Sequence, residues 1–151
     1  MNVTDDERVC VNRLCQKGVK PTSTRILVLR ELMKASSPVS LQDIESALDT
    51  VDRSTIFRAL VLFREHDLVH DIEDGSGSVK YELCESPSHC SVDDMHPHFY
   101  CEYCHQTFCL DCEHVPLVAL PEGFLLRGVN YVLKGICSGC REKWERAMAE
   151  N

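Results

Sequence analysis

Apolar residues recur at helical spacing four times in the first 66 residues of the chain. This pattern predicts four short helices, at residues 4–16, 22–35, 40–48 and 53–66. Ser40 and Asp43 stand three residues apart, as in a capping box, so Ser40 is expected to begin the third helix. Asp52 has the corresponding place before the fourth helix, where a carboxylate can accept hydrogen bonds from free backbone amides.

Two β-prone segments follow the helices and surround a turn rich in glycine and serine. They cover residues 68–72 and 79–84, with Gly75 and Gly77 between them. Such a pair predicts a β-hairpin. Helices followed by a hairpin are the order of a winged helix-turn-helix, in which one helix enters the major groove of DNA. We therefore predict a DNA-binding domain over residues 1–84.

The fourth helix has an outward face that is unusual for simple exposure to solvent. Ile56, Leu60 and Phe63 share one side and are expected in the core. Phe57 and Arg58 lie on a different side. An arginine beside apolar groups suits a major groove, because Arg binds guanine edges or phosphates while apolar carbons contact thymine methyl groups. The alternative is that this side packs on a neighbouring helix.

The second half of the chain predicts a smaller α+β domain. Segments 99–108 and 124–134 are patterned as strands, and residues 138–148 predict a final helix. Residues 85–95 are polar and lack periodicity, so they predict a hinge between two domains. We expect residues 96–151 to form a dimerisation domain, because a unit this small needs further stabilisation.

Charge and cysteine content add two constraints. The 151 residues carry a formal net charge of −8, which argues against a generally basic nucleic-acid-binding surface. Between Arg8 and Lys34, however, seven basic residues accompany one acidic residue, and such a stripe can supply phosphate contacts. The alternative is a solvated helix face. Ten cysteines without an export signal or a membrane-length apolar run favour a reducing cytoplasm and metal ligation.

Two Cys-x-x-Cys pairs provide the strongest chemical signal in the chain. They are Cys101 with Cys104 and Cys137 with Cys140. Four thiolates satisfy the tetrahedral preference of Zn²⁺ and leave no open position. The pattern predicts a closed structural zinc site that stabilises the second domain. The alternatives are ordinary buried thiols or disulfides.

Two histidines just before the first cysteine pair remain outside that closed set. His96 and His98 are separated by one residue on a predicted strand, so both side chains point to the same face. Imidazole is a common ligand of divalent metals, and we interpret the pair as half of a second metal site. The alternative is two exposed histidines in a loop.

Together these motifs resemble the ferric uptake regulator family, which includes iron, zinc, manganese and peroxide sensors. The resemblance covers nearly the whole chain, from the segment Lys17 to Arg25, through Ser54 to Arg58, to the His96–Cys140 metal pattern. Phe57 replaces the tyrosine usual in the family's recognition helix. The resemblance implies a homodimeric, metal-dependent transcription factor and not an enzyme, usually a repressor of metal-uptake genes on a palindromic operator. The implied DNA-contacting residues are Lys17, Lys20, Arg25, Ser54, Thr55, Phe57 and Arg58.

The resemblance also bears on the sensed metal. Iron- and peroxide-sensing members carry a histidine where this chain has Pro38 and an acidic ligand where it has Cys109. Zinc-sensing members carry ligands at the positions of His70 and Cys84. The predicted regulatory ligands are His70, Cys84, His96 and His98. This N₃S set suits tetrahedral Zn²⁺ better than Fe²⁺ or Mn²⁺. Cys109 is a possible substitute or fifth ligand, and Glu82 would serve in an iron-type site.

The second metal is expected to bond to both domains across the 85–95 hinge and so favour one interdomain geometry. Three alternatives remain open. One is an iron or peroxide sensor that uses Glu82. Another is a zinc enzyme with an open coordination position, although no general base stands beside those ligands. The third is a thiol redox switch at Cys109 and Cys112, which with Cys90 form a loose cluster without clean spacing.

Overall fold

The computed structural model describes residues 5–85, 96–110, 116–126 and 128–150. Its elements in chain order are α1 (Asp5–Gln16), α2 (Ser23–Lys34), β1 (Val39–Ser40), α3 (Leu41–Ala47), α4 (Arg53–Glu65), β2 (Val69–Glu73), β3 (Val79–Leu83), β4 (His98–Cys101), β5 (Thr107–Cys109), β6 (Val132–Gly135) and α5 (Arg141–Ala149). Within the described ranges, no helix has the length and apolar character needed to cross a bilayer.

Helices α1 to α4 pack around one core, as their periodicity predicts. Ile56, Leu60 and Phe63 of α4 are fully buried, together with Leu14 of α1 and Leu29 of α2. Burial of each such side chain contributes about 2 kcal/mol. Helices of 7 to 13 residues are marginal alone, so this shared core is what stabilises them.

Both predicted helix caps are confirmed. The Ser40 hydroxyl accepts a hydrogen bond from the Asp43 amide at 3.2 Å, and the Asp43 carboxylate accepts one from the Ser40 amide at 2.7 Å. At α4, Asp52 accepts from the Thr55 amide at 3.1 Å. Hydrogen bonds from the Ser54 and Thr55 hydroxyls lower the pKa of Asp52 to about 2. The cap is therefore an ionised carboxylate, which suits a helix N-terminus.

The predicted hairpin forms and becomes part of a three-stranded antiparallel sheet. Strand β3 lies between β1 and β2, in the order β1-β3-β2. The register runs from Val69 opposite Leu83 to Glu73 opposite Val79, which places residues 74–78 in the turn. Helices followed by this hairpin confirm the winged-helix architecture.

The second domain contains a mixed sheet in the order β5-β4-β6, so the α+β class is confirmed. Strand β4 pairs antiparallel with β5 and parallel with β6. The strand predicted over 124–134 is wrong in extent, since only Val132–Gly135 is a strand. Pairing with β4 begins at His98 opposite Val132. The residue before His98 is Pro97, whose carbonyl accepts a hydrogen bond from the Leu110 amide, just beyond β5. The predicted hinge lies outside the described residues except for Glu85.

Candidate metal centres

Four cysteine sulfur atoms converge at the end of β4 and before α5. The side chains of Cys101, Cys104, Cys137 and Cys140 bring their sulfurs within 4.8 Å of one another. The Cys104 and Cys137 sulfurs are 3.9 Å apart. With Zn–S bonds of about 2.3 Å, a tetrahedral site separates its sulfurs by about 3.8 Å. The observed spacing therefore fits a zinc ion.

Backbone amides favour the thiolate form in this cluster. Cys101 Sγ accepts hydrogen bonds from the amides of Cys104 at 3.5 Å and Cys137 at 3.3 Å. Burial raises the pKa of the Cys101 thiol, but the backbone hydrogen bonds outweigh burial and lower the pKa to about 6. Because the thiolate is the metal-binding form, the donor set suits a closed structural site.

A second cluster combines donors from both halves of the chain. It consists of Glu82 on β3, His96 just before β4, His98 on β4 and Cys109 on β5, with ligand atoms within 4.8 Å of one another. Glu82 Oε2 lies 3.0 Å from Nε2 of His96 and 3.0 Å from Nε2 of His98. His96 Nε2 lies 2.9 Å from Cys109 Sγ, and Cys109 also donates to Glu82. The β4–β5 register places His98 opposite Cys109.

The charge of this second cluster also suits a divalent cation. The Glu82 side chain is 18% exposed and His98 is buried. Burial raises the pKa of Glu82, but hydrogen bonds from His96, His98 and Cys109 outweigh it and hold the pKa below its usual range. The carboxylate is therefore ionised at neutral pH. Zn–N and Zn–O bonds of about 2.0 Å separate tetrahedral donors by about 3.3 Å, so small outward shifts of these side chains would admit the ion.

The structure does not bring two of the predicted regulatory ligands into this cluster. His70 is opposite Glu82 in the β2–β3 register and lines the same cavity as His96 and His98. It is not one of the four converging donors. Cys84 is buried and disulfide-bonded. It follows the end of β3, where its amide donates to Leu68 and its carbonyl accepts from Arg13, so its backbone is held toward the helices.

Three of the four predicted DNA-contacting residues of α4, Ser54, Phe57 and Arg58, are exposed, and Thr55 is half-buried. Phe57 is 48% exposed, which contradicts the alternative that this face packs on a neighbouring helix. Arg58 is exposed beside it and donates to the Thr55 hydroxyl at 3.2 Å. The hydroxyl of Ser54 donates to Asp52, and this contact orders the start of the helix. The α4 surface is therefore preorganised and open to a partner.

The predicted contacts before α2 lie in a tightly bonded connection. Arg25 donates to the Lys20 carbonyl at 2.8 Å. The Lys17 carbonyl lies 2.8 Å from Nδ1 of His66 at the end of α4. Lys20 itself is exposed. The Lys17–His66 contact holds the connection against the end of α4, and the Arg25–Lys20 bond ties the same connection to α2.

Comparison with known proteins decides the family. The model of the ferric uptake regulator family matches residues 16–118. A ferric uptake regulation protein of Campylobacter jejuni is 30% identical over 140 residues, covering 86% of this chain and 85% of that protein. The chain belongs to the ferric uptake regulator family. It is accordingly a metal-responsive DNA-binding regulator, and transcription regulators of this family are not enzymes.

Solved structures show the same fold for this family member. A zinc uptake regulator complexed with zinc and DNA matches with a TM-score of 0.65 at 21% identity, covering 94% of this chain and 99% of that one. The ferric uptake regulator of Helicobacter pylori matches with a TM-score of 0.62 at 16% identity, covering 93% and 97%. At these identities the likeness concerns the fold.

The sequence alone favours His70 and Cys84 as regulatory ligands, because the resemblance to zinc-sensing members and the N₃S donor set both point to them. Glu82 and Cys109, which the structure brings into the second cluster, are only secondary candidates at that level. The missing signal was strand pairing. Once β5 pairs with β4, Cys109 must lie opposite His98. Cys90 and Cys112 lie outside the described residues.

Proposed function

We propose that this family member is a zinc-sensing transcriptional repressor whose regulatory ligands are Glu82, His96, His98 and Cys109. The observation that supports it is the convergence of one carboxylate, two imidazoles and one thiol between β3 of the first domain and β4 and β5 of the second. A thiolate with two imidazoles favours Zn²⁺ over the harder Fe²⁺ and Mn²⁺. Of the predicted ligands, this set keeps His96 and His98 and replaces His70 and Cys84.

The placement of Glu82 explains how such a site would control DNA binding. Glu82 belongs to β3, which pairs with β2, and β2 begins shortly after α4 ends. A displacement of Glu82 would therefore be transmitted through the sheet to α4. Zn²⁺ bound here would supply bonds to both domains and so favour one interdomain geometry. Converting a mostly open population into a mostly closed one takes about 5 kcal/mol of differential affinity, which is modest for four ligands.

The second domain also offers a surface for a second copy of the chain. Its exposed large apolar side chains, among the described residues, are Tyr103, Leu117, Val118, Leu120, Phe124, Leu125, Leu126, Tyr131, Leu133 and Met148. Exposed apolar surface concentrated in one domain is typical of an interaction site. We assign it to a homodimer interface, stabilised within each subunit by zinc at the Cys101–Cys140 cluster. A dimer would present two α4 helices to a palindromic operator in the cytoplasm, with half-sites about 34 Å apart.

The experiment is a DNA-binding titration under metal control. The protein with its structural zinc is stripped of exchangeable metal, and its operator is selected from random duplex DNA with Zn²⁺ present. Fluorescence anisotropy then measures operator binding against buffered Zn²⁺, Mn²⁺ and anaerobic Fe²⁺. We expect binding to require Zn²⁺ and to be lost in His98→Ala. Equal binding by the stripped protein would refute metal control.

A second candidate function, iron sensing, is favoured by one observation. Glu82 supplies a hard carboxylate oxygen at the centre of the cluster, and oxygen donors suit Fe²⁺ better than thiolates do. The same titration separates the two functions. Tight operator binding with anaerobic Fe²⁺, at metal activities where Zn²⁺ is ineffective, would establish the iron sensor and reject the zinc sensor.

A further inference from the structure

A buried ion pair of the hairpin lies beside the proposed regulatory site and is hydrogen-bonded to the second domain. Lys80 Nζ is 3.0 Å from Asp74 Oδ2, with the Lys80 side chain 10% exposed and the Asp74 side chain 0% exposed. The Thr107 hydroxyl donates to Asp74 Oδ2 at 2.6 Å and accepts from Lys80 Nζ at 3.2 Å. Asp74 and Lys80 belong to the hairpin, whereas Thr107 belongs to β5. The bonds to Thr107 therefore form only when the hairpin is seated on the second domain.

Further contacts complete the network on both sides. The second Asp74 oxygen accepts from the Ser76 amide at 2.9 Å. The Lys80 ammonium also donates to the His105 carbonyl at 3.4 Å and lies 5.7 Å from the centroid of the Tyr100 ring. Inside the closed interface the two buried charges are paired and hydrogen-bonded, which offsets the cost of removing them from water. The hydrogen bonds to Thr107 and to the His105 carbonyl are lost when the hairpin leaves the second domain, so these bonds favour the seated hairpin.

The turn of the hairpin makes two additional contacts with the second domain. Asn130 Nδ2 donates to the Glu73 carbonyl at 2.7 Å. Gly75 has φ +82° and lies against the Lys134 side chain, whose ammonium would clash with an added Cβ. The end of the hairpin is consequently packed against residues 130–134 of the second domain.

Strand geometry connects this network to the metal cluster. Alternate residues of a strand share a face, so Lys80 and Glu82 are neighbours on β3, and Thr107 and Cys109 are neighbours on β5. The two strands meet through consecutive pairs, Lys80 with Thr107 and Glu82 with Cys109. The Lys80–Thr107 hydrogen bond therefore holds β3 and β5 at the distance at which Glu82 can also contact Cys109.

We propose that Asp74, Lys80 and Thr107 form an interdomain latch that positions Glu82 for the regulatory metal. The three residues lie outside both clusters of converging donors, so they are positioning residues and not ligands. The proposal rests on the proposed function, which assigns the second site to Glu82 and its three partners. Because the latch closes without an ion, it populates the binding-competent geometry in advance. Apparent affinity falls in proportion when that population falls.

The test uses Thr107→Val, which keeps the side-chain shape and removes the hydroxyl that links the domains. Asp74→Asn is the second variant, and Thr50→Val, in the exposed turn before α4, is the matched control. We expect Thr107→Val to weaken Co²⁺ binding at the second site about tenfold and Asp74→Asn to weaken it further. At saturation the Co²⁺ absorption spectrum should be unchanged, because the ligands remain. The structural zinc content should stay at one ion per subunit.

A second measurement requires no regulatory metal. Amide hydrogen exchange in the stripped protein should be at least about tenfold faster in β3 and β5 of Thr107→Val than in the control, because the seated hairpin opens more often. Wild-type exchange or wild-type Co²⁺ affinity in both latch variants would overturn the proposal. If the wild-type protein binds no second metal, the proposed function fails, and hydrogen exchange alone decides whether the latch holds the domains.

Discussion

Replacement of Cys109 by serine distinguishes the proposed ligand set, which the structure brings together, from the one expected from sequence. Cys109 Sγ contacts both Glu82 and His96. Serine keeps the approximate shape but removes the sulfur donor. Loss of a residue that merely supports a ligand costs about 10–100-fold in metal affinity. Loss of the ligand itself should therefore weaken the site at least about 100-fold, or about 2.8 kcal/mol. Cys84→Ser is expected to leave affinity within about threefold.

The assay is cobalt substitution in protein that retains its structural zinc. A thiolate bound to Co²⁺ gives an intense near-ultraviolet charge-transfer band, which reports sulfur ligation directly. The band is expected in the wild-type protein and in Cys84→Ser, and absent in Cys109→Ser. Zn²⁺ affinity is measured in parallel by competition with a chromophoric chelator. His70→Ala, which alters the cavity lining without removing one of the four converging donors, should retain the band.

The opposite pattern would refute the reasoning. If Cys84→Ser abolishes the band and Cys109→Ser keeps it, the functional site is the N₃S set expected from sequence. The cluster around Glu82 would then be a hydrogen-bonded network with no metal. If neither variant changes the band, sulfur ligation must come from another cysteine.

Four further outcomes follow from the structure. Cys101→Ser should release the structural zinc and unfold the second domain, seen by metal analysis and circular dichroism; a folded zinc-loaded variant would contradict this. Arg58→Ala should weaken specific operator binding about 10-fold or more without changing metal content, and unchanged anisotropy would exclude α4 as the reader. Ser40→Ala should lower the free energy of unfolding by about 1 kcal/mol, whereas an unchanged urea midpoint would show that the capping box adds nothing. Burial raises the pKa of Asp74, but hydrogen bonds from Ser76, Thr107 and Lys80 outweigh it and lower the pKa to about 2. Its contribution is therefore complete above about pH 4, the ordinary Asp value, and is lost as pH falls towards 2. The protection of the hairpin amides, measured as their exchange relative to the intrinsic rate at each pH, should fall in that window, and Asp74→Asn should remove this pH dependence.

Local features of the fold were predictable because their causes lie within a few residues. The capping box of Ser40 and Asp43 spans three residues and forms as its pattern indicates. The hairpin follows from two β-prone segments around Gly75 and Gly77. The cysteine knuckles follow from ligand spacing. In each case short-range chemistry decides the structure, so the sequence alone contains the necessary information.

The second donor cluster was not predictable in the same way, because it depends on which strands become neighbours. Glu82 and Cys109 are 27 residues apart in the chain, yet their side chains are hydrogen-bonded. Periodicity places Glu82 on a predicted strand and Cys109 just beyond one, but it does not pair the strands. The same limit explains the overlong strand prediction before Val132, because that segment has suitable residues, yet its pairing with β4 begins only at Val132.

The two clusters can have different roles because they draw their ligands from different parts of the molecule. All four cysteines of the first cluster lie between residues 101 and 140, so an ion there stabilises one domain and leaves the interdomain geometry unconstrained. In the second cluster, Glu82 is the member contributed by the first domain. Within the proposed function, the ion would act on the DNA-binding domain through that carboxylate, alongside the metal-independent contacts of the latch. A stronger latch at Asp74 and Lys80 would close the domains without metal and make operator binding constitutive. A weaker latch would demand more than the roughly 5 kcal/mol that switching requires. The sensitivity of such a regulator would be set jointly by the ion and by a buried network that does not bind it.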